Sequence, residues 1–543
     1  MFNRWYQDGI FYCLDVETYA DSNGDGVGDF NGLTSRLPHI AGLGFNCIWL
    51  LPFFPSPNRD NGYDITDYYG VDPRLGTLGD FVEFTRQAHD CGLRVVIDLV
   101  INHSSDQHPW FQQARADPES PYREFYIWSK TKPEDAGEGM IFPGQQETVW
   151  TYDRQAKAYY YHRFFPHQPD LNVTNPLVRA EIGKIISFWL QLGVDGFRID
   201  AAPFVIEQRN VNVDDVRDPY DYIDDIHSLL SWRSQGAMLL AEANVDLDQL
   251  SRYFGDGDRM HMLFNFILNQ LTYLAFARED AEPITRALRM LPTKPPICQW
   301  AVFMRNHDEL ALERLSERER DDVARAFGFT DEMWLYNRGV PRRLAPILGG
   351  DPQRLRQAAS LLFSLPGTPV LWYGDEIGMG DDLSLPERNA VRTPMQWSSE
   401  VNGGFSTASA KELIRPVIGK GQYGYQKLNV AVQQREPGSL LNSIEQLIRV
   451  RHQCLEIGRS QPEILDTDQA AVLGLRYEEG KSRLIVLHNL SRKARTAVID
   501  LGEDAHYLTD LLDGYNHIPV EGPQHKIEME PYGSRWLRVN GER

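Results

Sequence analysis

Eight short apolar runs recur along the chain, and each is followed by a loop and a helical pattern. They are Phe11–Leu14, Cys47–Leu51, Arg94–Leu99, Gly196–Asp200, Met238–Glu242, Leu263–Phe266, Trp300–Met304 and Pro369–Tyr373. A continuous apolar run reads as a strand buried on both faces, and such strands belong to parallel sheets. Alternation with helices then calls for an α/β fold, here a parallel (β/α)8 barrel. A doubly wound open sheet offers the same strand count, but no glycine-rich phosphate turn follows the first run. Polar residues gather at the C-terminal ends of the runs: Asp98, Asn102, Arg198, Asp200, Glu242, Asn306, His307 and Asp308. Barrel enzymes keep their chemistry at that face.

Uneven spacing divides the chain further. Residues 1–103 read as the first part of the barrel. Residues 104–167, rich in Pro, Trp, Tyr and charge, read as a domain inserted after the third strand. The barrel resumes over 168–462, with a second insertion at about 309–350 that carries a charged, solvated helix around Glu317–Arg325. From 463 to 543 the pattern changes to short alternating strands separated by Gly and Asp, the signature of a C-terminal antiparallel β-sandwich domain.

A net charge of −21 disfavours nucleic acid and anionic membranes as partners. It suits a neutral small substrate or a bound cation, and homo-oligomerisation stays open. The 12 Trp and 24 Tyr serve a core, but aromatic faces also stack on sugars. The five cysteines fit no metal spacing and read as buried free thiols in a reducing compartment. Met1–Trp5 has no apolar signal core, and no run is long enough to span a bilayer, so cytoplasm is the default.

Four segments resemble the conserved regions of the α-amylase superfamily, in order: Asp98–His103, Gly196–Asp200, Ala241–Asn244 and Arg305–Asp308. Gln168–Asn172 resembles the fifth region in its oligo-1,6-glucosidase form. The resemblance implies a retaining α-glucoside-processing enzyme, with Asp200 as nucleophile, Glu242 as acid/base and Asp308 gripping the hydroxyls of the distorted ring. His103 and His307 are the matching hydroxyl donors. The residue types suit that chemistry. Retention needs a nucleophilic carboxylate and a protonated carboxyl roughly 5–5.5 Å apart, and neighbouring strands lie about 4.8 Å apart. Arg198, two residues before Asp200, points the same way and favours its ionised form. Glu242 needs a raised pKa to be protonated at rest. In exo-acting relatives, Tyr63 of the Asp60–Asp64 segment stacks on the first glucose, Asp60 binds its 4-OH, and Arg392 is the matching partner.

Asp21–Asp29 places oxygen side chains at alternate positions, like the start of an EF-hand loop, with Gly26 at the turn and Gly32 instead of Glu at the twelfth position. A hard cation, Ca²⁺ first, would take Asp21, Asn23, Asp25, the Val27 carbonyl and Asp29, and the family places a cation here too. A second group, Asn102, Asp170, Glu207 and the carbonyls of Phe204 and Val205, resembles a calcium site known in one branch of that family. No organic cofactor is expected.

Segments outside the shared regions resemble the trehalose synthase branch: Arg305–Leu310, Phe254–Asp258, Arg342–Pro346 and Pro416–Ile418 with Tyr423–Gln426. Ala201 departs from the Val usual in relatives that cut α-1,6 bonds. The implied activity is interconversion of maltose and trehalose with side hydrolysis. An exo-acting α-glucosidase is the alternative, and a non-catalytic barrel the remote one. The first run departs from that branch by carrying Asp15 and Glu17, read as indirect supports of the site.

Overall fold

The computed structural model describes residues 4–207, 218–502, 505–520 and 522–540. Eight parallel strands close into a barrel in sequence order: β1 (Phe11–Leu14), β2 (Cys47–Leu50), β3 (Arg94–Leu99), β4 (Gly196–Ile199), β5 (Met238–Ala241), β6 (Met262–Phe264), β7 (Gln299–Phe303) and β8 (Thr368–Trp372). The ring closes through β1 and β8, with Phe11 opposite Val370. The runs read from sequence match these strands to within two residues at either end. Sequence patterns see the apolar stretch, whereas the pairing ladder stops where the chain turns outward. The strands are buried throughout, except that Arg94 reaches solvent at the start of β3. Gly196 is required where β4 begins, because a Cβ there would lie 2.7 Å from the Met238 carbonyl of β5.

Local signals start the helices. Asp29 caps the helix Phe30–Gly42 by accepting the Gly32 N–H. Thr77 and Asp80 form a reciprocal capping box on Leu78–Asp90. Such caps contribute about 1 kcal/mol each.

Between β3 and β4 the chain leaves the barrel and forms the helix Pro109–Ala116 and a three-stranded antiparallel sheet with Ala158–Tyr161 in the centre. Its small core includes Ile127, Val149, Trp150 and Tyr161. After β7, the pair Leu310–Ala311 and Gly339–Val340 flanks the helix Glu317–Phe327. Both excursions rise at the C-terminal face. From Glu463 the chain builds a six-stranded antiparallel sheet and a two-stranded one, which share a core around Ile485, Ile499 and Ile527. The larger sheet docks on the helix Pro352–Ser364, where the Trp536 indole donates to Ser360 at 3.0 Å.

Four cysteines are buried free thiols, while Cys91, at the end of the helix Leu78–Asp90, is exposed. Its helical position points it outward, which a count of apolar neighbours does not reveal.

Candidate active site

Asp200 follows β4 and Glu242 follows β5, so the barrel sets the two carboxyls side by side. Arg198 joins them: Nη1 lies 2.6 Å from Asp200 Oδ1 and Nη2 lies 2.6 Å from Glu242 Oε2. A third carboxylate, Asp98, stands 3.4 Å from the same guanidinium. Arg198 is 2 % exposed, so these interactions are shielded from water. The sequence pairs Arg198 with Asp200; the structure shares it with Glu242 as well. Burial raises both carboxyls and Arg198 opposes it in each, while Asp200 and Asp308 push Glu242 up further. Two carboxyls at one guanidinium retain a proton between them. Asp308 pushes both carboxyls up, and Asp200 adds to the rise of Glu242. Ala201 has left-handed backbone, φ 50°, and its N–H donates to Glu242 Oε2 at 3.2 Å. A β-branched residue is a steric outlier at that angle, so Ala suits the position better than Val.

Asp308 faces them from beyond β7. Arg392 Nη2 lies 3.0 Å and Arg388 Nη1 3.1 Å from its Oδ1, and His307 Nε2 lies 3.4 Å from Oδ2. Burial works against ionisation there, but Arg388, Arg392 and Arg198 hold the carboxyl well below the usual range. His307 is buried and held neutral. The Tyr63 hydroxyl donates to Asp98 at 2.8 Å and lies 3.0 Å from His307 Nε2. His103 is pushed down to about 4 by burial, and its Nε2 lies 3.2 Å from the Tyr63 carbonyl. Asp60 accepts from Gln168 at 2.8 Å, and burial lifts it to about 7. Arg392, read from sequence with Asp60, makes its direct contact with Asp308.

These residues line one cleft of about 310 Å³. Asp60, Tyr63, His103, Asp200, Glu242 and Asp308 all face it. Arg198, His307 and Arg392 support it from behind through the contacts above. Its outer wall comes from the inserted domain and the excursion after β7, which the sequence places at the catalytic face as lids without singling out individual residues of the wall. Glu309 there pairs with Arg338 at 2.6 Å and with Arg388 at 2.8 Å. Phe142 of the inserted domain meets Tyr336 of the β7 excursion with ring centroids 4.6 Å apart, so the two excursions touch across the mouth. Arg388 carried a readable signal: it stands four residues before Arg392.

The Asp21–Asp29 loop has the donor chemistry of a hard-cation site. Asp21 accepts the N–H groups of Asn23, Gly24 and Gly26 at 3.0, 2.7 and 2.8 Å. Asp25 accepts that of Val27 at 2.9 Å, and Asp29 that of Ser22 at 2.9 Å. Gly24 and Gly26 take φ of 79° and 92°, the left-handed turns that wrap backbone around the carboxylates. Of the second group, Asn102, Asp170 and Glu207 are neighbours. Asp170 accepts from the Arg163 N–H at 2.9 Å and from Asn102, and burial lifts it to about 7. Glu207 is turned to the Arg163 guanidinium, so a cation there competes with that pair. Among the described residues no group of three or more His, Cys, Asp or Glu side chains forms a metal cluster. Each group would therefore rely on amide and carbonyl oxygens besides its carboxylates.

A parallel barrel carrying two guanidinium-bridged carboxyls and a third, cation-held one in a single cleft defines a retaining glycoside-processing enzyme. The chain belongs to the α-amylase family: the model of the alpha amylase catalytic domain matches residues 16–458. The trehalose synthase of Thermus thermophilus is 42 % identical over 534 residues, covering 97 % of this chain and 55 % of that protein. The chain thus spans about half the length of that relative. The trehalose synthase/amylase TreS of Mycolicibacterium smegmatis is 39 % identical over 554 residues, covering 99 % of this chain and 93 % of that protein. Among solved structures, the α-amylase from H. orenii superposes with a TM-score of 0.80 at 27 % identity, covering 98 % of this chain and 99 % of that one.

Proposed function

We propose that the protein interconverts maltose and trehalose by intramolecular glucosyl transfer with retention, with hydrolysis as a side branch. The observation that carries this reading is Arg198 shared between Asp200 and Glu242 inside a cleft bridged at its mouth by Phe142 and Tyr336. Asp200 attacks the anomeric carbon while Glu242 protonates the departing glycosidic oxygen. Asp308 holds the ring hydroxyls, Asp60 recognises the chain end and Tyr63 stacks on the sugar, with His103 completing the hydroxyl contacts and His307 backing Asp308 and Tyr63. The released glucose stays in the outer cleft, turns, and returns through its anomeric hydroxyl, whose proton goes to Glu242. The names of the relatives and the contact of the two excursions at the mouth support transfer over simple hydrolysis.

The same reading gives the chain a structural Ca²⁺ on Asp21, Asn23, Asp25, the Val27 carbonyl and Asp29, remote from bond making. A second would rest on Asn102, Asp170, Glu207 and the carbonyls of Phe204 and Val205. A bound ion neutralises the crowded carboxylates. No helix among the described residues is long and apolar enough to cross a membrane, and the free thiols favour a reducing, cytoplasmic setting. The test is maltose incubated with labelled free glucose. Trehalose carrying little label supports retention of the glucose, whereas glucose as sole product from maltose and trehalose alike overturns the isomerase reading.

A further inference from the structure

A second cavity of about 200 Å³ lies beside the cleft, between the loops that follow β5 and β6. Asn244, Val245 and Phe266 line both spaces and form the partition between them. The chamber begins at Ala243, one residue beyond Glu242. Its far wall includes Leu250, Ile267 and Met290, none of which lines the cleft, and Met290 is 43 % exposed, so the chamber opens to solvent on that side.

One polar group on this chamber has no partner. Asn265 is 2 % exposed. Its Oδ1 accepts the Leu268 N–H at 3.1 Å and so caps the helix Phe266–Arg278, which fixes the orientation of the amide. Its Nδ2 has no hydrogen-bond partner among the described residues. Leaving a buried donor unpaired costs about 1–3 kcal/mol. Arg314, held to Asn244 Oδ1 at 3.1 Å, and Asp246 add polar lining. Room for one water begins at roughly 10–15 Å³, so this chamber accommodates several, and the Asn265 amide supplies a donor for one of them.

We propose that the chamber is a water site feeding the hydrolytic branch, and that its volume sets the partition between hydrolysis and transfer. The proposal rests on the isomerase reading above. A disaccharide displaces water from the cleft it fills, but the chamber lies outside that volume. Its water therefore persists across the wall of Asn244, Val245 and Phe266 from the cleft while the glucosyl ester exists. In the hydrolytic branch a water oxygen forms a bond to the anomeric carbon as the bond to Asp200 breaks. The bonding pair returns to the Asp200 carboxylate, the water proton passes to the Glu242 carboxylate, and free glucose leaves. In the transfer branch the anomeric hydroxyl of the retained glucose replaces water. The two nucleophiles compete for one ester, so chamber water alters the product ratio without altering how the ester forms.

Ile267→Phe and Leu250→Phe fill the chamber from its far wall, and Asn265→Asp keeps the capping oxygen while removing the donor. The measurement is glucose and trehalose formed from maltose by each purified protein. The filled variants are expected to lower the glucose-to-trehalose ratio ~3-fold or more, with trehalose formation within about 2-fold of the parent. Asn265→Asp should shift the ratio the same way. An unchanged ratio in folded filled variants, or equal falls in both products, overturns the proposal; if neither filled variant folds, Asn265→Asp decides. A parent that makes glucose alone overturns the isomerase reading instead. The chamber is then judged by hydrolysis against transfer to added labelled glucose.

Discussion

Arg415 places Nη2 2.6 Å from Glu17 Oε1, pairing the loop after the barrel's last strand with the segment after its first. The same nitrogen donates to Asn61 Oδ1 at 2.7 Å, and Nη1 donates to the Arg392 carbonyl at 3.2 Å and stands 3.6 Å from Asp15. Asp15 and Glu17, the acids that set the first run apart, thus hold a buried cation that steadies both Asn61, beside Asp60, and Arg392. Removing one partner of a buried pair costs about 3–5 kcal/mol. Arg415→Met should lower the melting temperature and raise KM for maltose, and the charge-balanced Arg415→Met/Glu17→Gln protein should regain part of the stability. Unchanged KM in a folded Arg415→Met protein argues against this positioning role.

The nucleophile assignment has a direct check. Asp200→Asn leaves Arg198 paired with Glu242 and Asp98 but removes the attacking oxygen. Turnover of maltose should fall by about 10⁴-fold or more, with the melting temperature within a few degrees of the parent. Mass spectrometry of protein quenched during turnover should lose the glucosyl adduct. Near-normal activity in this variant contradicts the assignment.

Cation removal should act on stability before activity. The Asp21–Asp29 loop lies at the surface end of the helix it caps, not in the cleft. Exhaustive chelation should lower the melting temperature, and Ca²⁺ should restore it, while room-temperature turnover changes less. An unchanged melt together with no metal by elemental analysis would leave the loop a self-bonded turn.

Asp170 supplies a pH test whose sign is set by its environment. Burial raises it to about 7 in the fold, against about 3.9 for a free Asp. The folded protein therefore holds the proton more tightly than the unfolded chain. That stabilisation is complete below about pH 4 and is lost as pH rises through about 7. In chelated protein, the melting temperature of Asp170→Asn relative to the parent should increase from pH 5 to pH 8. A constant or decreasing difference contradicts the raised pKa.

Much of this architecture is legible in the chain because its signals are local. Arg198 and Asp200 are two residues apart on one strand, and the apolar run before them announces that strand. The missing parts are long-range. Glu309 meets Arg388 79 residues away, and Glu17 meets Arg415 398 residues away. Nothing near Arg415 marks it as a buried cation; its role exists only once the barrel brings its first and last thirds together. Phe142 and Tyr336 are likewise ordinary loop aromatics until the two excursions meet. The partition around Asn265 is invisible for a related reason: a capping Asn reads as a helix start, and only packing shows where its amide nitrogen is left.

Asp308 takes its closest guanidinium contacts from Arg388 and Arg392, both of which follow it in the chain. During synthesis the acids Asp60, Asp200, Asp308 and Glu309 all emerge before those cations do. A nascent chain that has reached Glu309 therefore has Arg198 for Asp200 and Glu242 but lacks the arginines that pair with Asp308 and Glu309. The third carboxyl of the site is thus completed from the last quarter of the barrel, and a chain ended before Arg388 would leave Asp308 without its two nearest guanidiniums.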